Sequence, residues 1–368
     1  MRQVFDATFN QYLFNLLFYL LLSIKSLYYT KREKPITMTW LLIVVFCIYS
    51  YFAGDWFNYK HSLPFINSDY KDPIYYYFAL LSNKNYIVFR LLIWGLATLL
   101  VYFLSKRLIL NTNVVVFVFI WLFLPTFCYA RASLAMASYF CGLAFLIARP
   151  NTSRNRNRHW IIGIFLIIMS YYFHRSFLPI VIATPLIFVK FNRKLLFLLF
   201  LLFPLVLRLL GQFMNMMMDD LILEGSDFES FSRTAQAYAK QERHNYNWKF
   251  MLVSYFKYVG LYIPFIYIIW KTKMSKFKVL LPRSLDAFLT IEIIIIVVST
   301  AFFIMSNTVG LSDVLGYRYL FMTGIPSTMI LSYLLQNKEL KIARALALMF
   351  IVWLSTVGFM VGKLFVIS

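Results

Sequence analysis

Apolar stretches of membrane-spanning length recur along the whole chain, and nothing constrains its fold more. A bilayer offers no water to backbone N–H and C=O groups, so a spanning segment closes its own hydrogen bonds as a helix of about 20 mostly apolar residues. Such runs, some of them short, occupy 8–29, 36–53, 86–104, 113–130, 132–148, 159–173, 176–190, 194–210, 250–270, 286–306, 315–336 and 343–362. Composition agrees: 61% of residues are hydrophobic, 14% are charged and mean hydropathy is +0.70. Soluble domains have roughly 45–50% apolar and about 25% charged residues. A soluble enzyme, a disordered tail and a secreted disulfide scaffold are therefore excluded. The expectation is an all-α polytopic membrane protein, a single integral membrane domain over 1–368 with about 12 transmembrane helices.

Some runs carry irregularities. The 159–173 and 176–190 pair is short, which suits either a tight hairpin that borrows loop residues or a re-entrant element. The 315–336 run contains Arg318 and Pro326, so its outer turn is expected to be irregular. Residues 73–81 are too short to span and read as an interfacial helix. At the N-terminus Asp6 interrupts any signal-peptide layout and no small-residue cleavage site follows, so the first run is expected to remain as a helix.

The net charge of +21 at first suggests nucleic acid or acidic lipid. Its distribution decides otherwise. Alternate loops carry Lys25, Lys31, Arg32 and Lys34; Lys106 and Arg107; Arg149, Arg154, Arg156 and Arg158; Lys190, Arg193 and Lys194; Lys271, Lys273, Lys276, Lys278 and Arg283; and Lys338, Lys341 and Arg344. Only Glu33, Asp286 and Glu339 oppose them on that side. Short loops rich in Lys and Arg stay in the cytoplasm. The excess is thus topological, both termini are placed outside, and no nucleic-acid partner is expected. Cys47, Cys128 and Cys141 lie in apolar runs without metal-ligand spacing and read as small apolar fillers.

The outer loops hold the unusual chemistry. Loop 54–85 opens with Gly54, Asp55, Trp56, Phe57, Asn58 and Tyr59. Arg131 stands at one outer helix tip, and His174 and Arg175 at the next. Loop 211–249 is the longest polar segment and carries clustered Met, then acidic, then mixed charges. It suits either a lid over a polar ligand or an amphipathic helix on the membrane. Asp313 precedes Tyr317, Arg318 and Tyr319 at the start of another run. A charge at or below the membrane surface is costly, and it usually faces a wet cavity or a partner. Each Arg alone also fits snorkelling or a helix cap. Three such sites on one side favour an anionic ligand, because the guanidinium fork matches phosphate. The histidines His61, His159, His174 and His244 show no metal-ligand spacing, so no metal site is expected. Glu292, deep in its run, fits helix–helix hydrogen bonding and a transport role equally.

At these residues the chain resembles the EpsG-like branch of bacterial polysaccharide polymerases, relatives of the Wzy-type O-antigen polymerases. The carriers are Gly54 and Asp55 with Asn58 and Tyr59; the segment Arg131 to Ala137; the segment Phe173 to Pro179; and Tyr317, Arg318 and Tyr319. The ordered set covers roughly residues 40–330 and is more specific than any one motif. The family often has Gln after the first Arg, where this chain has Ala132.

The resemblance implies a GT-C-like helical bundle in the bacterial cytoplasmic membrane, with its active site on the non-cytoplasmic side. It implies a glycosyltransferase joining undecaprenyl-diphosphate-linked oligosaccharide repeat units, with a chain-length regulator as a candidate partner beside membrane lipids. Arg131, Arg318 and Arg175 are then expected on the diphosphate. His174 is the preferred base for the acceptor hydroxyl and Asp55 its rival. Asn58, Tyr59 and Tyr317 are candidate substrate contacts. No Asp-x-Asp occurs in the outer loops, so no cofactor and a metal-independent reaction are expected. The competing readings are a lipid-linked oligosaccharide flippase, an O-antigen ligase-like transferase and a multi-span acyltransferase. A flippase should show pseudo-repeats and polar groups through the membrane depth; here polar groups concentrate at the outer end. An acyltransferase would need an inner-face catalytic His, for which His159 is poorly suited.

Overall fold

The computed structural model describes residues 17, 20–29, 37–49, 60–67, 73–122, 130–147, 156–188, 282–308, 319, 322–337 and 348. Every regular element among them is helical. The main helices are α1 (Thr37–Tyr49), α2 (Pro73–Leu81), α3 (Tyr86–Arg107), α4 (Thr112–Leu122), α5 (Ala130–Ile147), α6 (Arg156–Phe173), α7 (Leu178–Ala183), α8 (Arg283–Thr308) and α9 (Gly324–Gln336). Residues 20–29 are helical as well. Among the described residues, α3 alone is long and apolar enough to cross a membrane by length and composition. The expected total of about twelve spans is not reached there. The runs at 194–210, 250–270 and most of 343–362 lie outside the described residues.

The chain divides into two compact units. One comprises Met1–Ile182, Ile268–Leu289 and Gly324–Ser368, the other Ala183–Tyr267 and Thr290–Thr323. In the first unit α5 is the central element. All its side chains from Ala132 to Ala144 are buried, so no face of it is left to solvent or lipid. It can sit there because it is rich in small residues, which let neighbouring backbones approach.

The closest neighbour of α5 is α6. Ser138 Oγ donates to the Leu166 carbonyl oxygen at 2.7 Å. Further along, the helices cross at glycines. A Cβ on Gly142 would lie 2.7 Å from the Gly163 carbonyl oxygen, and one on Gly163 would lie 2.9 Å from that of Gly142. Backbone blocks both positions, so the crossing admits no side chain at either. The Phe145 and His159 rings meet edge to face near the far ends, with centroids 5.6 Å apart. As residue numbers rise from Ser138 to Phe145 on α5, their partners fall from Leu166 to His159 on α6. The two helices are therefore antiparallel.

Helix α3 runs parallel to α5, because its last residue, Arg107, lies over the Phe145 ring at 5.3 Å. Its ends are well specified by sequence. Asn85 caps the start, its side-chain oxygen accepting from the N–H groups of Ile87 and Val88 at 3.0 and 3.2 Å. Lys106 and Arg107 occupy the last turn, where cations oppose the helix dipole favourably. The helix then closes through the left-handed Ile109 (φ 56°), with the Leu110 N–H donating to the Ser105 carbonyl at 3.0 Å.

Two of the runs read as irregular are interrupted. The 176–190 run is broken into a 3-10 turn at Arg175–Phe177, the short α7 and a second 3-10 turn at Thr184–Phe188. Pro179 and Pro185 lack the N–H that a continuous helix would need. In the last described run, Met322 turns back on Tyr319, its N–H donating to that carbonyl at 2.9 Å, and α9 begins only at Gly324. Pro326 sits within the first turn of α9, where a missing N–H costs nothing. Residues 73–81 form α2, as expected. In the second unit, Ile291, Glu292, Ile295 and Ser299 of α8 are buried along one helical stripe.

Candidate functional site

The alternating helix directions sort the chemistry of the first unit between two ends. One end is basic. There the Arg107 guanidinium donates to His159 Nδ1 at 3.0 Å. Guanidinium only donates, so Nδ1 accepts and the imidazole is neutral in this arrangement. Ser26 Oγ donates to the Asn113 carbonyl at 2.9 Å, and Asn113 Nδ2 donates to the Tyr29 carbonyl at 2.9 Å. The Asn111 N–H donates to Gln336 Oε1 at 3.1 Å. Residues 26–29, 106–113, 159 and 336 are thus gathered together. The basic loops beginning at Lys25, Lys106, Arg149 and Lys338 therefore attach at this one end. His159, which begins the 159–173 run, has a defined partner here.

The opposite end carries the start of α3, the start of α5 and the end of α6. Residue Arg131 lies in the first turn of α5. Extending the antiparallel register brings the end of α6 level with it. Helix α6 stops at Phe173, and the next residue, His174, turns extended at φ −158°. The His174 N–H still donates to the Ser170 carbonyl at 3.0 Å, and its own carbonyl accepts from Phe177 N–H at 2.9 Å. The segment Phe173 to Phe177 is therefore a tight, hydrogen-bonded corner rather than a loose loop. His174 is 9% exposed, while Arg175 beside it is half-buried.

Aromatic packing fixes this corner. The Phe173 ring stacks on Phe78 of α2 at 6.3 Å with 22° between planes. Phe78 meets Tyr75 at 5.9 Å, and Tyr75 meets Phe89 of α3 at 6.3 Å. Phe177 packs against Tyr139 of α5 at 6.0 Å. So α2 lies across the end of the bundle, tied to both α3 and α6. Lys84 in the turn after α2 adds a link, its Nζ donating to the Pro64 carbonyl at 2.7 Å.

Of the residues singled out by sequence, the structure brings three positions to this end: Arg131, His174 and Arg175. Asp55, Asn58, Tyr59, Tyr317 and Arg318 lie outside the described residues, as does the whole of loop 211–249. One cation at this end was not read from the sequence. Arg90, in the second turn of α3, is only 5% exposed, with its guanidinium 5.5 Å from the centre of the Tyr86 ring. The available signal was a single Arg inside an apolar run, four residues after a Tyr on the same helix face.

This end combines a buried imidazole with arginines on three different elements. Guanidinium groups are anion-binding and imidazole is proton-accepting by residue type. A family model described as the EpsG family matches residues 52–367. No curated protein and no solved structure matches the chain. The match covers most of the chain, including every position named at this end; the chain belongs to the EpsG family, whose members are membrane proteins.

Proposed function

We propose that this EpsG-family chain is a polysaccharide polymerase of the GT-C kind. In this reading it joins oligosaccharide repeat units carried on undecaprenyl diphosphate at the non-cytoplasmic face of the cytoplasmic membrane. The observation that supports the proposal is that positions 131, 174 and 175 lie at the end of the bundle opposite the basic loops. Under the positive-inside rule the basic end faces the cytoplasm, so the convergent end faces outward, where such lipid-linked sugars are presented.

The chemistry follows from these residue types. The donor chain is attached through its C1–O bond to the lipid diphosphate. The acceptor hydroxyl of a second lipid-linked unit attacks C1, forming the new C1–O bond. The old bond breaks, and its electron pair leaves with the diphosphate. Arg131, Arg318 and Arg175 stabilise that developing charge, and preorganised electrostatics of this kind is usually the largest single contribution to lowering such a barrier. The hydroxyl proton passes to His174, since imidazole is the side chain most often used as a general base. Asp55 is the alternative base or an acceptor-binding group. Asn58, Tyr59 and Tyr317 contact the sugars. Attack from the face opposite the leaving diphosphate inverts the configuration at C1.

Deleting the gene and resolving cell-surface polysaccharide on a gel tests this function. Single repeat units in place of long chains are expected. Lipid-linked units trapped on the cytoplasmic side would identify a flippase instead.

A further inference from the structure

Helix α2 buries one face and bares the other. Tyr75 and Ala79 are buried, and Phe78 stacks on Phe173. Tyr77, Leu80 and Leu81 are exposed on the remaining face, Leu81 at 72%. We propose that this face is the docking surface for the polyprenyl tail of the lipid-linked substrate; this rests on the polymerase reading above. The face is firmly held. Two successive left-handed residues, Asn83 (φ 48°) and Lys84 (φ 57°), end α2 and turn the chain into α3. The Lys84 Nζ bond to the Pro64 carbonyl ties the Leu63–Phe65 turn to that end, and Phe65 is 81% exposed.

The chemistry of the face selects an apolar occupant. No charged side chain stands in α2 itself, and grouped exposed apolar side chains mark a membrane or partner surface. The adjoining helix supplies the medium. Helix α3 begins directly after the turn and exposes Ile87, Leu91, Leu99 and Phe103, one apolar stripe at multiples of four residues along a helix long enough to span. Position then selects the tail. Phe78 touches Phe173, the residue before His174. A diphosphate held at that corner has its polyprenyl tail bonded to it, and the tail has to pass from the corner into hydrocarbon. Helix α2 is an apolar element stacked on the corner, and it leads into the exposed stripe of α3. Within a bilayer such contacts gain by packing rather than by leaving water, so the surface orients the tail more than it adds affinity.

Photo-crosslinking of the full-length protein in nanodiscs tests the assignment. Leu81→p-benzoylphenylalanine places a probe on the α2 face. Ile161→p-benzoylphenylalanine is the control, at a comparably exposed (69%) residue of α6 beside the basic end. Radiolabelled undecaprenyl diphosphate is expected to label position 81 saturably and several-fold above position 161. Excess unlabelled undecaprenyl diphosphate should abolish that labelling, and excess phosphatidylglycerol should not. Elongation kinetics give a second readout. The double variant Leu80→Ala, Leu81→Ala should raise KM for lipid-linked oligosaccharide about fivefold, as for loss of several carbon–carbon contacts, with kcat and melting temperature as in wild type. Equal, non-saturable labelling at both positions, or displacement by phosphatidylglycerol, would mark ordinary bilayer contact and overturn the proposal. An unchanged KM in the double variant would overturn it as well. In each of these cases elongation by wild type would leave the polymerase reading intact. Absence of both saturable labelling and wild-type elongation would overturn both.

Discussion

Arg131→Ala is expected to abolish measurable chain elongation while the protein still accumulates in the membrane. The expected fall in turnover is roughly 10²–10³-fold, the range seen when one preorganised donor to a developing oxyanion is removed. The reason lies in where the residue stands. It occupies the first turn of α5, whose side chains from Ala132 onward are buried for more than three turns. So firmly held a helix fixes the backbone at this position, and the proposed role needs preorganised charge there. Arg131→Lys should retain part of the activity, since it keeps charge but not the two-pronged geometry. Arg318→Ala is expected to behave like Arg131→Ala. Polysaccharide gels of complemented deletion strains, with immunoblots for protein level, read these outcomes. Wild-type chain lengths in Arg131→Ala would remove this residue from the diphosphate site.

The second large effect is at His174. His174→Ala is expected to lower turnover roughly 10²–10⁴-fold, the usual contribution of a positioned general base. The corner that holds it should survive the change. It is built by backbone hydrogen bonds from His174 to Ser170 and from Phe177 to His174, and by the packing of Phe173 on Phe78. The variant should therefore fold normally and still bind undecaprenyl diphosphate, separating loss of proton transfer from loss of binding. Near-wild-type turnover would pass the role of base to Asp55.

Sequence made the helical class and the alternation of sides legible because both rest on local composition. The 86–104 and 132–148 runs are uninterrupted enough to be recognised, and α3 and α5 lie on them with only small shifts of their ends. The basic residues at Lys106, Arg107 and Arg158 announced their common side through charge alone, and the Arg107–His159 bond is consistent with it. Pro179 and Pro185 coincide with the breaks in the 176–190 run, whereas Pro326 fits inside the first turn of α9.

What sequence hid was pairwise. Gly142 and Gly163 carry no signal in their separate apolar runs, and only the crossing of α5 with α6 makes each indispensable to the other. Arg90 escaped notice because a run tolerant of one charge still reads as a span; burial within α3, which packs on α2 and α5, gives it meaning. His174 was legible as a helix-end histidine. The corner that holds it packs through Phe173 on Phe78, which lies almost a hundred residues earlier.

Elongation by the purified protein measures the proposed reaction itself. Lipid-linked oligosaccharide extracted from the deletion strain is supplied to the full-length chain in nanodiscs, with excess EDTA present. A ladder of longer lipid-linked saccharides is expected, with one undecaprenyl diphosphate released for each unit joined. Unchanged single units from active preparations, or a ladder that forms only when a divalent metal is restored, would contradict it.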